Sequence, residues 1–307
     1  MKRIWLFIAI LAVSIPILMT GCEKRHQAAS NGKKTIVVTY SVLGSVVQDL
    51  VGDSFEVKVL IPNGLDPHEW EPSAKDVETL NKADLIVENG LGLEGGMEKA
   101  LNGARKSGVK MFTAADQVRV RTVGEGEGIP SDDPDQAAGA KDPHLWSDPL
   151  TMKVIADALA VRIASDFQVD LSARARDLDG RLDVLDTEIR AKVAALPAEN
   201  RKLVTGHESM GYFAQAYGFK LVGAMIPSLS TQAEVSAADM AALKKLVAAG
   251  KVKAVFTEIG TPAAVVEALA RDAGVKAVSL TTHSMPEDGS YFTFLRGLTD
   301  QIVGGLK

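Results

Sequence analysis

The sequence predicts an α/β protein of two similar lobes, each with a parallel sheet flanked by helices, joined by a long backbone helix. Three observations carry that prediction. Short β-branched runs alternate with helical stretches in the first half of the chain, the same alternation returns in the second half, and a heptad-like apolar pattern lies between them. Strands separated by helices must pair in parallel, because a parallel neighbour is reached only through a long crossover.

The chain opens with Lys2 and Arg3, an apolar run from Ile4 to Met19, and Thr20-Gly21-Cys22. This is the pattern of a secretory signal over 1–21, with an uncleaved membrane anchor as the competing reading. Leu18-Met19-Thr20-Gly21-Cys22 resembles a bacterial lipobox, with Met19 where leucine is usual, and that resemblance implies lipidation of Cys22. A single cysteine cannot form an internal disulfide. The polar stretch 22–34 reads as a flexible tether. The net charge of −5, with no basic cluster, argues against nucleic acid as a partner.

In the first lobe, 35–169, strands are expected over Thr35–Tyr40, Phe55–Ile61, Asp84–Glu88 and Val109–Thr113. Ser41 is expected to cap the helix after the first strand, and Ser73 with Asp76 the helix after the second. Asn89-Gly90-Leu91-Gly92 turns into a helix over Glu94–Ser107. Gly124–Lys141, rich in Gly, Asp, Glu and Pro, breaks the rhythm as a surface loop, and Pro149 then starts a helix to Phe167. The linking helix, 170–197, carries apolar residues at Leu171, Leu178, Leu182, Leu185, Ile189 and Val193 and stops at Pro197. In the second lobe, 198–307, strands are expected over Lys202–Thr205, Phe219–Gly223, Val252–Glu258 and Val275–Leu280. Helices are expected through Tyr212, Phe213 and Tyr217, over Ser236–Ala249 with Ser236 as cap, and over Pro262–Ala273 with proline in the first turn.

One stretch occurs twice: Asp66-Pro67-His68-Glu69-Trp70-Glu71-Pro72 and Asp142-Pro143-His144-Leu145-Trp146-Ser147-Asp148-Pro149. Each copy fixes the backbone with proline, presents one imidazole and adds an indole two residues on. Apart from His26 near the leader, the histidines are His68, His144, His207 and His283, mostly just past strand ends. Ligands of open parallel sheets bind beyond the carboxyl ends of strands, so the space between lobes is where all four can meet. Four imidazoles, or three and a water, suit tetrahedral zinc, and a site poor in carboxylate argues against calcium or magnesium. Taken singly, each histidine is more often a surface or satisfied core residue, and Trp70 and Trp146 are expected to wall the loops. His207-Glu208-Ser209-Met210-Gly211 begins like the zinc-protease motif, but Gly211 stands where its second histidine belongs.

Together with the signal and lipobox, the two Asp-Pro-His loops, Asn89-Gly90-Leu91-Gly92-Leu93-Glu94, His207 with Gly211-Tyr212-Phe213, and Asp288-Gly289-Ser290-Tyr291 resemble the zinc and manganese solute-binding lipoproteins of ABC importers, the cluster A-I, ZnuA/TroA-like family. The likeness spans almost the whole mature chain. It implies two α/β lobes on a backbone helix, one ion between them, and ligands at positions matching His68, His144, His207 and His283. Manganese-type relatives usually carry Glu and Asp at the last two positions, so histidine at both favours Zn2+, with Mn2+ (or iron) as the alternative. Zinc-type relatives often have a His-rich loop between the first two ligands. Here that loop has no histidine, only carboxylates such as Glu125, Glu127, Asp132, Asp133 and Asp135. The resemblance also implies a cognate ABC permease in the membrane as partner and an extracytoplasmic, lipid-anchored location at the cell surface or in a periplasm, with the protein acting as a monomer. Glu258, at a strand end, is a candidate to orient a histidine ring from behind. The rival reading is a secreted zinc-dependent hydrolase with Glu208 or Glu258 as base, which no known spacing supports. A surface adhesin is the third.

Overall fold

The β-branched run after Lys34 forms strand β1 (Thr35–Val38), fully buried from Ile36 on, because it lies inside a sheet. It pairs in parallel with β2 (Glu56–Val59) on one side and β3 (Leu85–Glu88) on the other, and β3 pairs with β4 (Met111–Thr113). The order is therefore β2-β1-β3-β4, with α1 (Ser41–Val51), α2 (Ala74–Lys82) and α3 (Glu98–Lys106) between consecutive strands. These statements, from a computed structural model, describe residues 32–127 and 137–307, of which Lys33–Lys307 form one compact unit. The leader, Cys22, most of the tether, and Asp132, Asp133 and Asp135 lie outside the described residues.

Helix starts divide into those the sequence marked correctly and those it did not. Ser73 and Asp76 close a reciprocal capping box on α2, an arrangement that satisfies two otherwise orphaned backbone donors. Ser41, by contrast, is the first residue of α1 and caps nothing. Tyr40 occupies the cap position without a side-chain bond there, and its hydroxyl instead donates to Asn89 Oδ1 at 3.0 Å. The helix expected from Glu94 is preceded by a 3-10 turn over Gly95–Met97.

Helix α4 (Pro149–Phe167) starts at its proline, with the Asp148 carboxylate accepting the Leu150 and Thr151 N–H groups. The long helix α5 (Ser172–Ala194) has 23 residues, about 35 Å at 1.5 Å per residue. Its buried stripe of Leu178, Leu182, Leu185, Ile189 and Val193 faces α4, α1 and the final helix.

In the second half, β5 (Lys202–Thr205) pairs in parallel with β6 (Lys220–Ala224), and β7 (Ala254–Thr257) with β8 (Lys276–Ser279). Strand β5 lies beside β7, yet these are two two-stranded sheets rather than one continuous ladder. The alternation returns with α6 (Gly211–Tyr217), α7 (Ala237–Gly250) and α8 (Ala263–Ala273). Ser236 does close a capping box on α7, whereas Pro262 is the cap of α8 rather than part of its first turn.

The sequence reading assigned no element after the last strand, and this is its largest omission. Tyr291–Leu306 is α9, 16 residues capped by Ser290 and buried along most of its length. Its buried Tyr291, Leu295, Leu298, Ile302 and Val303 recur at helical spacing while Thr293, Asp300 and Gly304 are exposed, so the periodic signal was present in the sequence and went unread. No described helix is long and apolar enough to cross a membrane.

Candidate metal centre

The two Asp-Pro-His loops fold by the same local rule. In each, the aspartate accepts the backbone N–H of the histidine two residues on, His68 to Asp66 Oδ1 and His144 to Asp142 Oδ1, both at 2.9 Å. This is the turn that a short carboxylate makes with its own chain, and the intervening proline holds it. The second loop is further braced by Asn89, whose side chain donates to the Pro143 carbonyl at 2.8 Å. Asn89 is itself set by Glu94, whose buried carboxylate accepts the Asn89 and Gly90 N–H groups and the Thr39 hydroxyl. Burial pushes Glu94 up to about 7 against those bonds. The Asn-Gly-Leu-Gly-Leu-Glu segment thus serves as scaffolding for the loop that carries His144.

His207 arrives from β5. Gly206 before it has no room for a side chain: a Cβ there would stand 2.1 Å from Thr261 Oγ1 and 2.6 Å from Glu258 Cγ. That close approach brings Glu258, just past β7, against the histidine. Glu258 accepts the His207 N–H at 2.9 Å and the Ser209 hydroxyl at 2.8 Å. Its Oε1 is also 3.2 Å from His207 Nδ1, which makes no other contact of this kind among the described residues.

Three rings converge. One nitrogen each from His68, His144 and His207 lies within 4.8 Å of the other two. His144 Nε2 is the middle atom, 3.4 Å from His68 Nε2 and 3.1 Å from His207 Nε2. All three residues are buried. His144 donates Nδ1–H to Asp142 Oδ1 at 2.8 Å, the tautomer that the carboxylate requires, and so it turns a lone pair toward its neighbours. Lone pairs crowded together away from water repel unless a cation or proton sits among them. Two nitrogens each about 2.1 Å from one tetrahedral zinc would be about 3.4 Å apart, close to the spacings found here.

His283 is placed beside this trio but is not part of the convergent set. Its ring stacks on His207 with centroids 5.9 Å apart and lies 5.2 Å from Trp146. Nδ1 is 3.0 Å from the Thr282 hydroxyl, while Nε2 is buried and has no partner among the described residues. Trp146 walls the group, its indole N–H donating to the Thr282 carbonyl at 3.1 Å. Trp70 is only half-buried.

The electrostatics favour neutral, ligating imidazoles at most positions. Burial first, then the neighbouring rings, hold His68 well below the ordinary imidazole value and bring His283 down to about 3. His144 is also lowered, by burial that outweighs the pull of Asp142. His207 goes the other way: burial lowers it, but Glu258 beside it raises it more. Glu258 in turn drops to about 2, since His207 outweighs the cost of burying the carboxylate.

Sequence reasoning named Glu258 but missed three supports. Asp142 and Asp66 were inside the motif, and their spacing of two residues before histidine was the available signal. Arg121, whose Nη1 is 3.1 Å from Asp142 Oδ2, left no mark in the sequence. Glu127 of the acidic loop pairs with that same arginine and is not a free cation attractor.

Over residues 36–305 the chain matches the family described as zinc-uptake complex component A periplasmic. The zinc-binding protein TroA of Treponema pallidum is 34% identical over 293 residues, covering 94% of this chain and 89% of that protein. The manganese ABC transporter substrate-binding lipoprotein PsaA of Streptococcus anginosus is 27% identical over 311 residues and 97% of each chain. Among solved structures, periplasmic zinc-binding TroA from Treponema pallidum superposes with a TM-score of 0.76 at 30% identity, over 90% of this chain and 99% of that one. A crystal structure of ZnuA shares the fold, with a TM-score of 0.75 at 23% identity over 90% of this chain and 100% of that one. These relatives are named as binding proteins rather than enzymes.

Proposed function

We propose, from the zinc-uptake complex component A periplasmic family to which this chain belongs, that it captures zinc outside the cytoplasm and delivers it to an ABC permease. The family is one of metal ABC transporter substrate-binding proteins. Zinc is the finer reading, and the observation that carries it is the convergence of three buried imidazole nitrogens with no carboxylate among them. Such a donor set suits zinc, whereas manganese favours oxygen. His68, His144 and His207 are the ligands in this reading. His283 is the fourth, through the buried Nε2 that lacks a partner, and Glu258 orients His207 from behind. The ion lies between an N-terminal lobe, 35–169, and a C-terminal lobe, 198–307, linked by 170–197. Cys22 carries the lipid that keeps the protein at the outer face of the membrane. The protein acts as a monomeric carrier with no turnover of its own.

Competition between zinc and manganese for the metal-free protein tests this. Zinc should win on the wild type, and His283→Asp should move the preference toward manganese; manganese winning on the wild type would refute the zinc assignment. Proton competition gives a second signature. His207 is the one ring held above the ordinary value, so it is protonated first as pH falls. Zinc affinity should therefore begin to decline already above the ordinary imidazole value of about 6.5 as pH falls, with about one proton bound per ion released.

A further inference from the structure

Arg121 lies far from the motifs, in the segment after β4, yet its side chain is 5% exposed and wedged between two carboxylates, Asp142 and Glu127. Nη1 donates to Asp142 Oδ2 at 3.1 Å and Nη2 donates to Glu127. The main chain is held as firmly. The Arg121 N–H donates to the Tyr212 hydroxyl on α6 at 2.9 Å, and its carbonyl accepts the Asp142 N–H at 2.9 Å. Gly211, the first residue of α6, completes the fit. A Cβ there would stand 2.1 Å from Asp142 Oδ2 and 2.4 Å from Arg121 Nη1. The missing second histidine of the protease-like motif is thus a position where any side chain would have to displace Asp142 or Arg121.

We propose that Arg121 is a positioning residue for the metal centre, acting through Asp142 on the tautomer and direction of the His144 ring. The proposal rests on the metal-carrier reading above and adds a residue to it. Asp142 has one oxygen for the histidine and one for the arginine. With Oδ2 fixed by the guanidinium, Oδ1 is held where it can accept both the backbone N–H and the ring Nδ1–H of His144. His144 Nε2 then points at its two neighbours as a lone pair. Without the guanidinium the carboxylate is held only by His144 itself, and the ring loses the independent restraint that selects its tautomer. Partners behind a ligating histidine commonly change metal affinity by about 10- to 100-fold.

The test uses Arg121→Met, which keeps bulk and removes every donor, and Gly211→Ala, which crowds the same pair from the α6 side. The tautomer of His144 is read by nitrogen-15 NMR of the metal-free proteins, and zinc affinity by chelator competition. In the wild type His144 should be a single Nδ1–H tautomer; both variants should show a tautomer mixture and zinc binding weakened by about 10-fold or more. A folded Arg121→Met protein with the wild-type tautomer and zinc affinity within about twofold would overturn the proposal. If Arg121→Met does not fold, an unchanged Gly211→Ala protein overturns it instead. Failure of the wild type to bind zinc would sink the carrier reading, while the tautomer comparison would still decide the role of Arg121.

Discussion

The first and second Asp-Pro-His loops share a sequence pattern and a turn, but not their surroundings. Behind His144 stands a carboxylate with both oxygens engaged, one on the ring and one on Arg121. Behind His68 the carboxylate makes the backbone turn, and its other oxygen, Asp66 Oδ2, is buried with no partner among the described residues. The first loop is instead held from outside, by Gln232 donating to the His68 carbonyl at 2.8 Å and by Asn63 exchanging two bonds with Met285. Identical local chemistry has produced one ring fixed from behind and one fixed mainly through its main chain. The short motif therefore sets the turn, and longer-range partners set how rigidly the ligand is aimed.

Removing the rings themselves should give the largest effect. His144→Ala and His68→Ala should each weaken zinc binding by more than about 100-fold in chelator competition. His144→Ala should be the worse, since its Nε2 is the middle atom of the three. Equal losses, or a larger one at His68, would break the asymmetry.

The aspartates sharpen the comparison at the next level. Asp142→Asn removes the charged acceptor of the His144 ring and the partner of Arg121, and should lower zinc affinity by about 10- to 100-fold. Asp66→Asn keeps an oxygen for the His68 N–H and should cost less than about tenfold. Isothermal titration of the two metal-free variants side by side decides it, and the reverse order would count against the two supports differing.

The smallest effects concern the braces. Asn89→Ala leaves the buried Pro143 carbonyl without its donor, and should destabilise the fold by about 1–3 kcal/mol. Gln232→Ala, at a partly exposed site, should cost about 0.5–1.5 kcal/mol. Hydrogen exchange should accelerate around His144 in the former and around His68 in the latter. Acceleration at both loops in either variant would mean that they move as one.

Much of this was legible in the sequence because it is local. Proline before each histidine, aspartate two residues ahead, serine and aspartate at helix starts and β-branched strands all act over a few residues, and they placed Ser73, Ser236, Pro149 and the buried stripe of α5 correctly. What stayed hidden depends on contacts between distant segments. Ser41 looked like a cap, but the chain started its helix one residue early, with Tyr40 committed to Asn89. Arg121 resembles any surface arginine until Asp142 and Glu127 close on it. Helix α9 is a different case: its apolar residues recur at helical spacing, so it was legible and went unread.

That helix has a consequence for chains that end too soon. Its first residue, Tyr291, donates its hydroxyl to the Trp146 carbonyl at 2.8 Å, and the Trp146 indole reaches on to Thr282. A chain stopped before Tyr291 keeps every histidine of the cluster, so a scan for intact ligands would pass it. It would lack the hydroxyl that pins the Trp146 carbonyl of the second loop, and it should chelate poorly despite a full complement of donors.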